Sequence, residues 1–392
     1  MISKILQKFK NISKKKFLFK IPKKKQIIVV HNDGIETFFY NFFKKDDVEI
    51  VDPNFEINIY VWAITFHRCI FEKNPWFPYI EKYIEIVDPK IVITRICNDL
   101  QFYRLKERDN SNRIYISVQN GINAGNHVLQ KKFVHKKFKN KLSADYIFCF
   151  GNNDIETFNS IIKSKVIPSG SIINNYVKKN NEKTTKKILY ISTFRYRATK
   201  YFTGLSEYGE PILYSKYFEL DKIILEYLKK FCLQNKYELQ ICGSRADQKL
   251  IEIEKKLWVN LIGSSGWNYL PKTTTTSNYE EIDKSEIVVF VESCLGYEAL
   301  ARGKKTAAFS CRGEFLKIQN YNFGLFNKNI PAKGSFWTSE STEEEFSRIM
   351  NYLTSINQAQ WENELNKYMP DLMLFDPGNI KFKSIIDRHK SY

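Results

Sequence analysis

The chain has 392 residues, 43% of them apolar and 15% aromatic, enough to fill two cores of ordinary size and too rich in core residues for a disordered or collagen-like chain. Its formal net charge of +18 is unevenly spread, because residues 1–25 carry ten lysines and no acid. No segment reaches about 18 uninterrupted apolar residues, so a membrane-spanning helix is not expected, and the lysines that break the first apolar runs argue against a signal peptide.

In that arm, Ile2, Ile5, Leu6, Phe9 and Ile12 recur at helical spacing among Lys4, Lys8, Lys10 and Lys14 to Lys16. The pattern fits a basic amphipathic helix on an anionic membrane surface, each lysine worth about 1 kcal/mol near the headgroups, or else a solvated tail. Nucleic acid is not expected as a partner, since no second basic stripe and no nucleic-acid motif follows.

Beyond the arm, short apolar runs alternate with amphipathic ones. "QIIVVH" (26–31), "EINIYVWAITF" (56–66), "KIVITRI" (90–96), "RIYISVQ" (113–119) and "DYIFCFG" (145–151) are predicted strands. "GIETFFYNFFKK" (34–45) and "NNDIETFNSIIKS" (152–164) are predicted helices. This alternation predicts a parallel sheet covered by helices. Residues 174–187, "NNYVKKNNEKTTKK", are poor in apolar side chains and predict a linker.

The rhythm then restarts: strand "KILYISTFR" (187–195), helix "FELDKIILEYLKKFCLQN" (218–235), strand "YELQICG" (237–243), helix "ADQKLIEIEKKLW" (246–258) and strand "SEIVVFVE" (285–292). "SCLGYEALARGK" predicts a turn and a short helix before the strand "KTAAFS" (305–310). Residues 341–369 predict two helices broken near Asn357, and "IKFKSIIDRH" after the "DPGN" turn predicts a last one. The expected architecture is α/β, with two Rossmann-like βα domains facing a central cleft and a C-terminal helical segment. The expected boundaries are a basic arm over 1–25, a first domain over 26–173, the linker 174–187, a second domain over 188–365, and a segment 366–392 packing back on the first domain.

The seven cysteines show no paired spacing and the five histidines no metal-ligand spacing, so buried reduced thiols and no bound metal are expected. In open parallel sheets ligands sit beyond the carboxyl ends of the strands. There the second domain offers Ser192, Thr193 and Arg195, then Gly243, Ser244 and Arg245, then Glu292, Ser293 and Cys294. The amides of Leu295, Gly296 and Tyr297 are expected to face a phosphate at the helix start. Glu298 repels a phosphate and suits a ribose or sugar diol, with Arg195, Arg245 or Arg312 balancing the phosphate charge; alternatively it only favours the helix dipole. In the first domain, Asp99, His31 and Asp33 follow strand ends and are candidates for a general base, with Asp99 alternatively a helix cap. Arg95, Gln119, Asn120 and Gly121 are candidates for contacts to an acceptor, the last three alternatively forming an Asn-Gly turn.

"ESCLGYEALARGKKTAAFSCRGEF" (292–315) resembles the donor-side motif of glycosyltransferases with the two-domain GT-B fold. More narrowly it resembles leptospiral-type O-antigen and surface-carbohydrate biosynthesis proteins, as do "TRICNDLQFY" (94–103), "SVQNGIN" (117–123), "ILYISTFR" (188–195), "YEEIDKSEIVVF" (279–290) and "DPGNIKF" (376–382). Cys294 stands where that pattern has threonine. The resemblance implies a metal-independent transferase without a resident cofactor, moving a sugar from a nucleotide-sugar donor to a growing surface-polysaccharide acceptor. It implies a cytoplasmic protein, peripheral on the inner membrane if the arm binds there. A sugar-nucleotide epimerase, a polyol-phosphate transferase and a non-catalytic nucleotide- or carbohydrate-binding scaffold are the alternatives.

Overall fold

The computed structural model describes residues 15–31, 38–72, 74–122, 138, 141–180, 184–195, 208–318, 321–324 and 330–390, with the backbone alone for 201–205. The amphipathic pattern of residues 1–14 and the candidate Asp33 lie outside the described residues. The chain divides into two compact units, the first formed by Met1–Phe150, Asp154–Ser169 and Asn379–Tyr392, the second by Gly151–Asn153 and Gly170–Gly378.

The first unit contains strands β1 (Lys16–Leu18), β2 (Ile27–Val30), β3 (Val48–Val51), β4 (Glu56–Asn58), β5 (Ile91–Thr94), β6 (Ile114–Val118), β7 (Ser143–Cys149) and β8 (Lys163–Pro168). A six-stranded sheet runs β3-β2-β5-β6-β7-β8, and every pair in it is parallel. All four side chains of β2 are buried, as a strand covered on both faces requires. The winding reverses between β2 and β5, which makes the crevice beyond their carboxyl ends the ligand position of this sheet. The C-terminal helix Ile380–Lys390 belongs to this unit, where the Phe382 ring meets Phe42 and Phe148, each at 5.2 Å.

Residues 56–66, expected as one strand, form β4 and then the helix Ile59–Phe71. Asn58 is the cause at the junction: its side chain accepts from the Val61 amide at 3.2 Å and caps the helix. The run of β-branched and aromatic residues suits either state, and the cap decides.

The second unit contains β9 (Thr185–Ile191), β10 (Tyr201–Leu205), β11 (Pro211–Leu213), β12 (Glu238–Cys242), β13 (Asn268–Leu270), β14 (Ser285–Phe290), β15 (Lys305–Phe309) and β16 (Trp337–Thr338). Its six-stranded sheet runs β13-β12-β9-β14-β15-β16, again with every pair parallel. Here the winding reverses between β9 and β14. Helix Tyr214–Asn235 buries Leu220, Ile224, Tyr227, Leu228 and Phe231 on one stripe. Asn357 breaks the late helical stretch through a capping box with Gln360, which starts the helix Gln358–Leu365. Within residues 174–187, Asn174 and Asn175 are buried in the short helix Ile172–Tyr176, and β9 already begins at Thr185.

Gly296 sits in the helix Cys294–Ala301 against β14, and a Cβ placed there would lie 2.1 Å from the Phe290 ring. Its missing side chain therefore admits Phe290, which gives this glycine a packing reason. Gly296→Ala is expected to lower stability by about 1–3 kcal/mol, read as a fall in Tm.

Candidate functional site

At the β9/β14 crevice of the second unit the strand ends are held by a buried ionic network centred on Arg312, whose side chain is fully buried. Its Nε donates to Glu292 Oε2 at 2.7 Å, and its Nη2 to Asp221 Oδ2 at 2.9 Å and Thr193 Oγ1 at 3.3 Å. Its Nη1 donates to the Tyr217 carbonyl, and the guanidinium lies 3.8 Å from the centre of the Tyr217 ring. Asp221 also accepts from Tyr190 at 2.5 Å and Thr193 at 2.6 Å, while the Tyr217 hydroxyl donates to Glu292. Arg312 was expected to face a phosphate, but two carboxylates and a carbonyl enclose it. What it does is lock Thr193, after β9, to Glu292, after β14. Arg195 is half-buried beside this network, its guanidinium 5.9 Å from the Tyr217 ring centre.

A second buried carboxylate, Glu254, ties the ends of β9 and β12. It accepts from the Ser192 hydroxyl and, at 3.1 Å and 3.2 Å, from the Ser244 amide and hydroxyl. Burial pushes its carboxyl pKa up, against the opposing hydrogen bonds from Ser192 and Ser244. A Cβ at Gly243 would lie 2.4 Å from the Tyr269 hydroxyl, so a side chain there would displace that ring. Sequence reasoning missed both Asp221 and Glu254. The available signal for Glu254 was its place four residues before Trp258 and eight before Ile262, on the buried stripe of its helix.

After β14, Ser293 is the N-cap of Cys294–Ala301. Its Oγ accepts from the Leu295 amide at 3.3 Å and its carbonyl from the Gly296 amide at 3.0 Å. Those two amides, expected to face a phosphate, are thus engaged within the turn. Tyr297 is buried and stacks on Phe323 at 5.4 Å, while its hydroxyl accepts from the Gly324 amide. Glu298 does not open the helix; it lies one turn inside, 7% exposed, with Oε2 accepting from the Tyr279 hydroxyl at 2.9 Å. Cys294 is the one half-buried cysteine, the other six being buried.

At the β2/β5 crevice of the first unit, two candidates meet. His31 Nδ1 lies 2.8 Å from Asp99 Oδ2. Asp99 is also the N-cap of the helix Leu100–Arg108, its Oδ1 accepting from the Gln101 amide at 3.0 Å. Asp99 thus caps the helix through one oxygen and meets His31 through the other. His31 has φ +52°, a left-handed conformation that costs a non-glycine residue energy and holds the ring at the crevice. Burial opposes a charge on His31, but the hydrogen bond that the ring donates to Asp99 and the charges of Asp99 and Asp52 together raise its pKa above the ordinary histidine value.

The remaining first-unit candidates are engaged within the fold. The Gln119 carboxamide accepts from the Phe150 amide at 2.8 Å and donates to the Gly121 carbonyl at 3.2 Å. Asn120 Oδ1 lies 3.6 Å from the Cys97 thiol, and Arg95 is buried. His31 and Asp99 come together; Gln119, Asn120 and Gly121 form a braced turn.

Comparison with solved structures shows a shared fold. The wall teichoic acid polymerase TagF superposes with a TM-score of 0.52 at 13% identity, over 94% of this chain and 90% of that one. Its H444N form soaked with CDPG gives 0.51 at 12% identity over the same shares. The S. aureus MnaA structure with UDP gives 0.50 at 13% identity, over 94% of this chain and 96% of that one. At such identities the likeness is one of fold, the GT-B-like pair of Rossmann-like units. No curated protein matches the sequence. A family described as "putative O-antigen biosynthesis protein" matches residues 116–390, from the middle of β6 to the end of the last helix. With more than half of the chain matched, this protein belongs to that O-antigen biosynthesis family.

Proposed function

We propose that the protein is a glycosyltransferase of surface-polysaccharide assembly, with the nucleotide-sugar donor at the β9/β14 crevice and the acceptor base on the first unit. The observation that carries it is the convergence of Ser192, Thr193, Ser244, Glu292 and Ser293 at the strand ends of a doubly wound sheet, braced from beneath by Arg312 and Glu254. Arg195 and Arg245 supply the positive charge toward the donor phosphates; the Arg245 Nε is buried without a hydrogen-bond partner among the described residues. Glu298, held by Tyr279, is assigned to a ribose or sugar hydroxyl.

In the transfer, the acceptor hydroxyl loses its proton to His31 Nε2 as its oxygen bonds to the sugar, and the bond from sugar to phosphate breaks. Asp99 holds the Nδ1 proton, which keeps Nε2 as the basic nitrogen and stabilises the imidazolium that forms. The leaving nucleotide takes the bond's electron pair as phosphate charge, met by the arginines.

A thermal-shift screen of UDP-, GDP-, CMP- and dTDP-linked ligands tests the donor site. A ligand at about 100 times its Kd adds about 2.7 kcal/mol to the folded state, so one of the four is expected to raise Tm clearly, and Arg245→Ala to blunt the rise. No rise with any of them sinks the donor site. Release of an epimerised sugar nucleotide without an acceptor would assign the epimerase alternative instead.

A further inference from the structure

The helix Ile59–Phe71, "IYVWAITFHRCIF", contains no acid and is apolar on more than one face. Val61, Thr65 and Cys69, at spacings of four, are its buried line. The outward lines expose Ile64 (39%), Ile70 (52%) and Phe71 (88%). Exposed His67 and Arg68 share the outward side with them, so the helix is apolar well beyond its buried line but not all round. Beside it, β1 pairs with β4 in the register Lys16↔Glu56, and the Asn58 side chain donates to the Lys20 carbonyl at 2.7 Å. That brings Phe19 (79% exposed) and Ile21 (61%) next to the start of the helix, with Phe55 (54%) at the entry to β4. Single exposed apolar side chains are normal on a monomer, but a group tied together by strand pairing and hydrogen bonds marks an interaction surface.

We propose that this face docks on an anionic phospholipid bilayer, apart from whatever residues 1–14 contribute and independent of the donor-site assignment. Charge selects the occupant. Residues 15–25 hold six lysines and no acid, and exposed Lys20 and Lys23 flank Phe19 and Ile21. The chain before Lys15 adds four more lysines and again no acid, and it joins the fold at this patch. A second copy docked by the same face would bring these cations against one another, whereas lipid phosphates neutralise them. Geometry selects lying over crossing. At about 1.5 Å per residue a helix of this length covers about 20 Å, short of the hydrocarbon thickness of about 30 Å. Among the described residues no helix is long and apolar enough to cross a membrane. Phe71, Ile70 and Ile64 then enter the headgroup region while the lysines stay with the phosphates.

Flotation of the full chain with phosphatidylcholine vesicles, with and without phosphatidylglycerol, tests the proposal. Binding is expected only with phosphatidylglycerol, weakening as salt rises, and falling about tenfold or more in the Ile64→Glu/Ile70→Glu/Phe71→Glu variant and clearly in Lys20→Glu/Lys23→Glu. Phe71→Trp, a substitution at an exposed position, gives a readout that does not depend on how the triple variant folds. Its emission is expected to shift to the blue on anionic vesicles and to be quenched by brominated lipid. Vesicle binding that the triple variant leaves unchanged, or Phe71→Trp emission that vesicles do not move, overturns the proposal. So does a dimer in sedimentation that the triple variant dissolves while neither protein floats.

Discussion

Replacing Arg312 with leucine is expected to destabilise the second unit by about 3–5 kcal/mol, among the largest effects available to a single substitution in this chain. The reason is the charge left behind. Asp221 and Glu292 are fully or almost fully buried, and Arg312 is the cation that both of them meet. Without it two carboxylates stay desolvated, and Thr193 loses one of its two bonds in the network. Arg312→Lys keeps a charge but cannot reproduce a fork that reaches Glu292, the Tyr217 carbonyl and Asp221 at once, so it is expected to fall between wild type and leucine. Urea titration checks this as a lowered midpoint at unchanged m. The exposed pair Lys222–Glu226 is the control, since Lys222→Ala is expected to change stability by no more than about 0.5 kcal/mol. A leucine variant as stable as the control would show that the network does not hold the strand ends.

His31→Ala is expected to lower sugar transfer by about 10²–10⁴-fold while the thermal shift given by the donor nucleotide is kept. The companion variant is Asp99→Asn, because asparagine still caps the helix Leu100–Arg108 but carries no charge. The pH dependence follows from the raised pKa of His31. Only neutral imidazole accepts a proton, so the rate rises as pH passes above that value, and losing the Asp99 charge moves this acid limb to lower pH. Stability runs the other way. A histidine whose folded pKa is raised contributes stability that is full below its ordinary value and is lost as pH climbs through the raised one. The advantage of wild type over Asp99→Asn is therefore expected to be full at mildly acid pH and to shrink as pH climbs past the ordinary histidine value and through the raised one, by denaturant titration at several pH values. An acid limb that stays in place in Asp99→Asn removes the dyad from the mechanism.

Much of this site was legible because strand ends are a local property. The apolar runs at 26–31, 90–96, 187–195 and 285–292 announce strands covered on both faces, and in a doubly wound sheet the residues after them line the crevice. His31, Asp99, Ser192, Thr193 and Glu292 became candidates that way. What each does with its polar atoms was not legible, because partners in a buried network come from far along the chain. Asp221 reaches Thr193 from 28 residues away, and Glu254 reaches Ser192 from 62.

The amino-acid order alone determined the α/β class and the alternation that yields two parallel sheets, since burial on both faces demands continuous apolar strands and amphipathic covering helices. It could not tell which cations face outward. Arg312 and Arg195 look alike in sequence, yet burial beside two carboxylates commits the first to bracing the fold. Nor could it decide residues 59–66, where the same β-branched and aromatic side chains suit strand or helix. The Asn58 cap and the buried line of Val61, Thr65 and Cys69 settle that segment as a helix. Periodicity is written within a few residues, whereas desolvation and the choice of partner belong to the assembled fold.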